Sequence, residues 1–128
     1  MGGNRVTMTR EEAIQNFRNM WEWMAKRTEE FKRKVVKIEY FWEHNILEIP
    51  MYYCFLCEYA NEQFINKGGE DYCEYCPIDF GYDICMGEEE AEGTMRIFDR
   101  WYYCPREDWE EAAKLCREIA RLPEKGDT

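Results

Sequence analysis

The chain has 128 residues, of which 45% are hydrophobic and 16% aromatic, and a formal net charge of −10. That length suits one domain with a modest core. The negative balance argues against a protein that works by gripping phosphate with Lys and Arg. No stretch has the length and apolarity of a membrane span, and the opening Met-Gly-Gly-Asn-Arg lacks a signal-peptide core. A soluble, cytoplasmic protein is the expectation.

In chain order, Thr9-Arg-Glu-Glu12 reads as a capping box that opens a helix. Apolar residues then recur at Ile14, Phe17, Trp21, Met24, Phe31, Val35, Ile38 and Trp42, with Thr28 as the polar interruption and no Gly or Pro between Arg10 and Ile49. The spacing predicts a single amphipathic helix over residues 9–45, about 50 Å long. Its other face holds Glu22/Lys26, Glu29/Arg33 and Glu30/Lys34, each a Glu four residues before a base. Lys26, Arg27, Lys32, Arg33, Lys34 and Lys37 are therefore read as a solvated face with its own ion pairs, the alternative being a basic patch for nucleic acid. The three-four repeat is also a possible self-association seam.

Pro50 opens a different region, residues 50–93. Residues 51–57 are β-prone, Asn66-Lys-Gly-Gly69 is a turn, and residues 77–93 should be mostly loop. The region carries Cys54, Cys57, Cys73 and Cys76 in a C-x2-C-x15-C-x2-C array. Each Cys-x-x-Cys can curl two thiolates onto one side of a turn, and two such turns can close a tetrahedral shell around zinc, with Zn–S about 2.3 Å. Structural Zn2+ is the expected cofactor. Cys85 could replace one of the four, while Cys116 lies on an apolar stripe and Cys104 precedes Pro105. Residues 94–122 read as two helices, one around Met95–Tyr103 and a final one with Pro105 in its first turn and Trp109, Ala112, Cys116 and Ile119 inward. The fold expected is mainly α, with the long N-terminal helix packed on the C-terminal helix and a small zinc-stapled β/loop insertion between them.

The charge divides unevenly. Residues 1–49 sum to +1, residues 50–93 to −10 with Lys67 as the only base, and residues 94–128 to −1. The acidic region is also rich in Tyr and Phe, more than a small metal lobe can bury. Tyr59, Glu70, Asp71, Tyr72, Glu74, Tyr75, Asp79, Tyr82 and Asp83 are accordingly the candidate partner-binding residues, tyrosine anchors within a negative rim. Enzyme machinery is thin: His44 is the only histidine and reads as a satisfied residue near a helix end, and no phosphate loop, HExxH or nucleophile elbow occurs.

The runs Met20-Trp-Glu-Trp-Met-Ala25, Cys54-Phe-Leu-Cys-Glu-Tyr-Ala60 and Cys73-Glu-Tyr-Cys-Pro-Ile-Asp-Phe80 with Cys85, and the closing Glu118-Ile-Ala-Arg-Leu-Pro123, resemble small cysteine-cluster proteins of phages and prophages of Gram-positive bacteria. The resemblance implies a phage accessory protein acting in the host cytoplasm and leaves open whether Cys54 or Cys85 completes the metal site. The function expected is non-enzymatic binding of a host protein, itself basic or nucleic-acid-binding, as an anti-defence or host-takeover inhibitor. Direct nucleic-acid binding is not expected. Two alternatives are a zinc-ribbon accessory of transcription or replication that contacts nucleic acid, and a redox or metal-handling enzyme.

Overall fold

The computed structural model describes residues 8–50, 53–70, 72–79 and 97–125. Helix α1, Arg10–Phe31, starts where the capping box predicts: Thr9 Oγ1 accepts from the Glu12 amide at 3.1 Å, and Glu12 Oε1 accepts from the Thr9 amide at 2.9 Å. Its buried stripe is Ala13, Ile14, Phe17, Met20, Trp21, Met24, Ala25 and Thr28. The stripe faces α5, Trp109–Ala120, whose Ala112, Ala113, Leu115, Cys116, Ile119 and Ala120 are buried in turn. Alanines on both faces let the two helices approach closely. Cross-helix ion pairs flank the seam, Arg117 with Glu29 and Arg121 with Glu22, the latter at 2.9 Å.

The long helix is broken. Lys32 takes a left-handed conformation (φ 55, ψ 40), and the chain restarts as α2, Lys37–Glu43. A non-glycine residue in that conformation costs about 1–2 kcal/mol, and the contacts of residues 33–36 offset it. The Val35 amide donates to Thr28 Oγ1 at 3.2 Å, and Val35 is fully buried. Lys34 is buried with its ammonium against three carbonyl oxygens, those of Trp101, Tyr102 and Cys104. Arg33 forks onto Glu39, which also caps the Val36 amide. The i, i+4 pairs expected along an unbroken helix are consequently replaced: Glu22 and Glu29 reach across to α5, and Glu30 pairs with Arg27. Of the predicted stripe, Val35 stays buried beyond the break, while Phe31 just before it is 51% and Trp42 after it 69% exposed.

Helix α3, Phe55–Lys67, corrects the β reading of the cysteine region. Leu56 and Ala60, one turn apart, are its buried residues and set it against α1. After Gly68 (φ 80) the chain makes a 3-10 turn, Tyr72–Tyr75, that packs on α3. Among the described residues the sole β feature is an antiparallel bridge, Ile78 to Glu124. It is flanked by bonds of 2.8 Å from the Asp79 amide to the Pro123 carbonyl and from the Lys125 amide to the Pro77 carbonyl.

The last short helix, α4 (Ile97–Tyr102), places Phe98 and Trp101 edge-on to Trp21, with ring centres 6.1 and 4.8 Å away. Pro105 lies in the turn before α5 and not in its first turn, because the helix begins four residues later at Trp109. The molecule is thus mainly helical with α1 on α5, as expected. No helix among the described residues is long and apolar enough to cross a membrane.

Candidate metal centre and interaction surface

The first cysteine pair sits at the start of α3. Cys54 is its N-cap, with extended backbone (φ −137, ψ 115), and Cys57 lies in the first turn. The Cys54 sulfur accepts from the Cys57 thiol, and this bond is the main reason its pKa falls to about 6. Burial opposes the shift, while the Lys37 ammonium and the amides of Cys57 and Leu56 add to it. The two amide contributions, the smallest of these, are those of a helix N-terminus, where N–H groups favour a thiolate.

The second pair frames the end of the 3-10 turn. The Cys76 amide donates to the Cys73 carbonyl at 3.2 Å, and the Cys73 carbonyl also accepts from Lys125 Nζ at 3.4 Å. The Cys76 thiol points at the Ile78 carbonyl, 3.8 Å away. All four cysteines are half-buried and, like Cys104 and Cys116, are thiols.

The four candidate ligands therefore occupy two turns on two elements that pack together, a soft donor set of the type zinc takes. Cys54 and Cys57 share a side-chain hydrogen bond, whereas Cys73 and Cys76 are joined through their backbone. Among the described residues, however, no three or more Cys, His, Asp or Glu side chains gather into a group that could hold a metal ion. Cys85 lies outside the described residues.

The other two thiols are core residues. Burial pushes the Cys116 thiol up to about 12 and raises that of Cys104 as well, which favours the neutral thiol in both. His44 closes α2, with Nδ1 2.8 Å from the Tyr40 carbonyl oxygen and its ring against Tyr40 and Trp23. It is occupied in the way a structural histidine is, although the residue is largely exposed.

Of the candidate partner residues, Glu70, Glu74 and Asp79 are exposed. Glu74 accepts from the Glu70 amide at 3.3 Å, which folds the carboxylate back over the turn. Tyr59 is half-buried and packs against the core, and the Tyr75 phenol donates to the Gly68 carbonyl. Asp71, Tyr82, Asp83 and the side chain of Tyr72 lie outside what the structure describes. The tyrosines that stand out are others: Tyr53, Tyr102 and Tyr103. For the last two a signal existed, since Phe98 and Trp101 are the inward pair of a short helix and their C-terminal neighbours must point away. The basic residues of α1 and the break after it are largely engaged internally: Arg27 with Glu30 at 2.6 Å, Arg33 with Glu39 at 2.9 Å, Lys34 with carbonyls, and Lys32 over the Trp109 ring.

No protein-family model, curated protein or solved structure matches this chain.

Proposed function

We propose that this chain is a non-enzymatic, zinc-stabilised binding protein whose acidic lobe, α3 with the turn after it, docks on a basic partner protein. The observation that carries the reading is where the charge lies. Several scaffold cations are held by internal partners: Arg10 by Glu124, Arg33 by Glu39, Arg117 by Glu29 and Lys34 by three carbonyls. The carboxylates of Glu70, Glu74 and Asp79 stand at the surface, in a segment whose net charge is −10. Such a surface accelerates encounter with a basic partner, and apolar anchors then carry most of the affinity.

Zinc bound by Cys54, Cys57, Cys73 and Cys76, or with Cys85 in place of Cys54, cross-links α3 to the 3-10 turn. A closed thiolate shell supplies stability and offers no open position for a reacting water. In the phage setting that the cysteine segments resemble, the partner is a host protein and the outcome is inhibition of a defence or of a host process. The nucleic-acid alternative loses support from the engagement of Arg27, Arg33 and Lys34.

The test has two arms. Elemental analysis of anaerobically prepared protein should find one zinc per chain, lost in Cys73→Ser. In host lysate, the wild-type chain should retain a basic protein that the Glu70→Lys/Glu74→Lys/Asp79→Lys variant releases, while neither binds duplex DNA or RNA at physiological salt. A charge-reversed chain that keeps its partner would overturn the acidic-surface reading.

A second reading, a redox dithiol, is favoured by one observation: Cys54 is a helix N-cap whose sulfur accepts from the thiol of Cys57. It requires that Cys54 and Cys57 be oxidised reversibly to a disulfide by a small-molecule disulfide, itself reduced to two thiols. Metal-free protein that takes up two oxidising equivalents equally well in Cys73→Ser would favour this reading over zinc.

A further inference from the structure

Around α3 the chain leaves aliphatic side chains in water. Leu47, Ile49 and Ile65 are 92%, 40% and 70% exposed, in contrast to the buried stripes of α1 and α5. Where the loop before α3 meets the helix lies a hollow of ≈ 140 Å³, lined by Met8, Ile49, Pro50 and Phe55. That volume is below the range of small-molecule sites (about 300–1,000 Å³) and suits a single side chain. The Phe55 ring is held by Phe41 and Tyr40, with centres 5.7 and 6.5 Å away, so this wall is formed before anything enters it. The hollow is not independent of the cysteines. Phe55 sits between Cys54 and Cys57 at the start of α3, so whatever fixes that turn fixes this wall.

Charge decides which side chain the hollow receives. Glu48 and Glu62 line it as well, and neither is paired with a cation among the described residues. Glu62 lies seven residues after Phe55 and three before Ile65, so the three share one side of α3. The region that follows Ile49 adds a net charge of −10, a field that draws cations in and turns anions away. Arginine meets both demands of such a place. Its stem covers apolar surface while its head stays with the charge. Its guanidinium is less strongly hydrated than an ammonium, stacks on aromatic rings and forks onto carboxylates.

We propose that this hollow seats one arginine of the partner, its stem against Ile49 and Phe55 and its guanidinium at the carboxylates of Glu48 and Glu62. Apolar residues beside that arginine cover the exposed aliphatic side chains. The inference rests on the reading of the acidic lobe as a docking surface for a basic protein, and it names what the lobe takes hold of.

The probe is the tripeptide acetyl-Leu-Arg-Leu-amide, titrated into the native 15N-labelled full chain at physiological salt and followed by amide chemical shifts. Saturable shifts are expected at residues 48–49 and 55–65. Glu48→Gln/Glu62→Gln should weaken binding by at least about tenfold, the scale of one charge-assisted contact. Glu107→Gln/Glu110→Gln, which removes the same charge at the other end of the chain, should leave it unchanged. Acetyl-Leu-citrulline-Leu-amide keeps the shape of the ligand without its charge and should bind at least tenfold more weakly to the unaltered chain, so a loosened variant cannot mimic the result. Equal weakening by the two double variants, equal affinity for the citrulline peptide, or shifts confined to other residues would each overturn the proposal. So would a dimer in sedimentation whose hollow ignores the peptide, since a second copy would then be the occupant. The Glu70→Lys/Glu74→Lys/Asp79→Lys variant separates this inference from the reading beneath it, because it alters no residue of the hollow. If that variant releases the partner while the peptide fails to bind the unaltered chain, the arginine site falls and the acidic docking surface stands.

Discussion

The helical scaffold and the cysteine-bearing lobe are held together by different means. In the scaffold, α1, α4 and α5 share a continuous apolar interior in which Phe17, Met20, Trp21, Met24, Trp101, Leu115 and Ile119 are buried. In the lobe, α3 buries Leu56 and Ala60, its four cysteines are half-buried, and its turn is tied to the rest by the strand-like pairing of residues 77–79 with 123–125. Apolar burial contributes about 25 cal/mol per Å², so the scaffold draws its stability from area. Among its described residues the lobe fully buries only Leu56, Ala60 and Ile78, and leans more on specific bonds. A cross-linking metal would matter most there.

Breaking the scaffold should have the largest effect. Trp21 is 1% exposed and sits under Phe17, Phe98 and Trp101. Trp21→Ala should cost about 3–5 kcal/mol, as truncation of a buried aromatic usually does. Urea denaturation followed by helical circular dichroism measures it, and a loss under about 1 kcal/mol would show that the aromatic cluster is not the centre of the fold.

Lys34 tests the joint between α1 and α4. Lys34→Met keeps most of the stem but takes a donor from three carbonyls at the end of α4, of which that of Trp101 keeps the Cys104 amide. A buried acceptor left unsatisfied costs about 1–3 kcal/mol. Because the Tyr102 carbonyl is only partly buried and can turn to water, about 2 kcal/mol is expected for the whole substitution. Amides of residues 97–104 should exchange faster, and unchanged protection there would refute the clamp.

A smaller effect should separate the two regions. Removing residues 123–128 takes away the Ile78 bridge, both 2.8 Å backbone bonds and the Lys125 contact to the Cys73 carbonyl. It also deprives Arg10 of Glu124 and of the Lys125 carbonyl. Local protection over residues 72–79 should fall by about 1–2 kcal/mol, while the amides at the centres of α1 and α5 keep theirs. Uniform loss across the chain would mean that lobe and scaffold unfold as one unit.

The same contrast explains what could be read from residue order alone. Thr9 and Glu12 announced the start of α1, and the stripes of α1 and α5 announced their contact, because a capping box and a three-four repeat are local patterns. The break at Lys32 was not legible: no Gly or Pro marks it, and its causes are a hydroxyl three residues upstream of the helix end and carbonyls 67 to 70 residues away. Thr28 was visible as the single polar residue in the stripe, and its buried hydroxyl is what receives the Val35 amide. Residues 51–57 looked β-prone because Tyr and Phe suit strands, but from Phe55 onward Leu56 and Ala60, four apart on a buried face, carried the helix. The cysteine pairs were legible as pairs, since each is one turn long. Their relation to one another depends on how α3 meets the 3-10 turn, and spacing in sequence does not encode that packing.

The smallest effect concerns the seam between α1 and α5. Hydrogen bonding to Arg117 holds the Glu29 carboxyl below its usual pKa of 4.5, against a slight opposing effect of burial. The Arg117 guanidinium is correspondingly raised by the same bond. A carboxylate with a depressed folded pKa contributes stability that is fully present above the unfolded value. That contribution is lost as pH falls below 4.5 through the folded pKa. Both side chains are partly solvated, at 30% and 45% exposure, so the pair should be worth about 0.5 kcal/mol and less in high salt. Glu29→Gln should therefore lower stability slightly at pH 7 and by less at pH 3, which lies below the unfolded value of 4.5. Chemical denaturation at the two pH values and at two salt concentrations makes the measurement. A Glu29→Gln cost that is the same at both pH values would assign the contact to helix packing and not to charge.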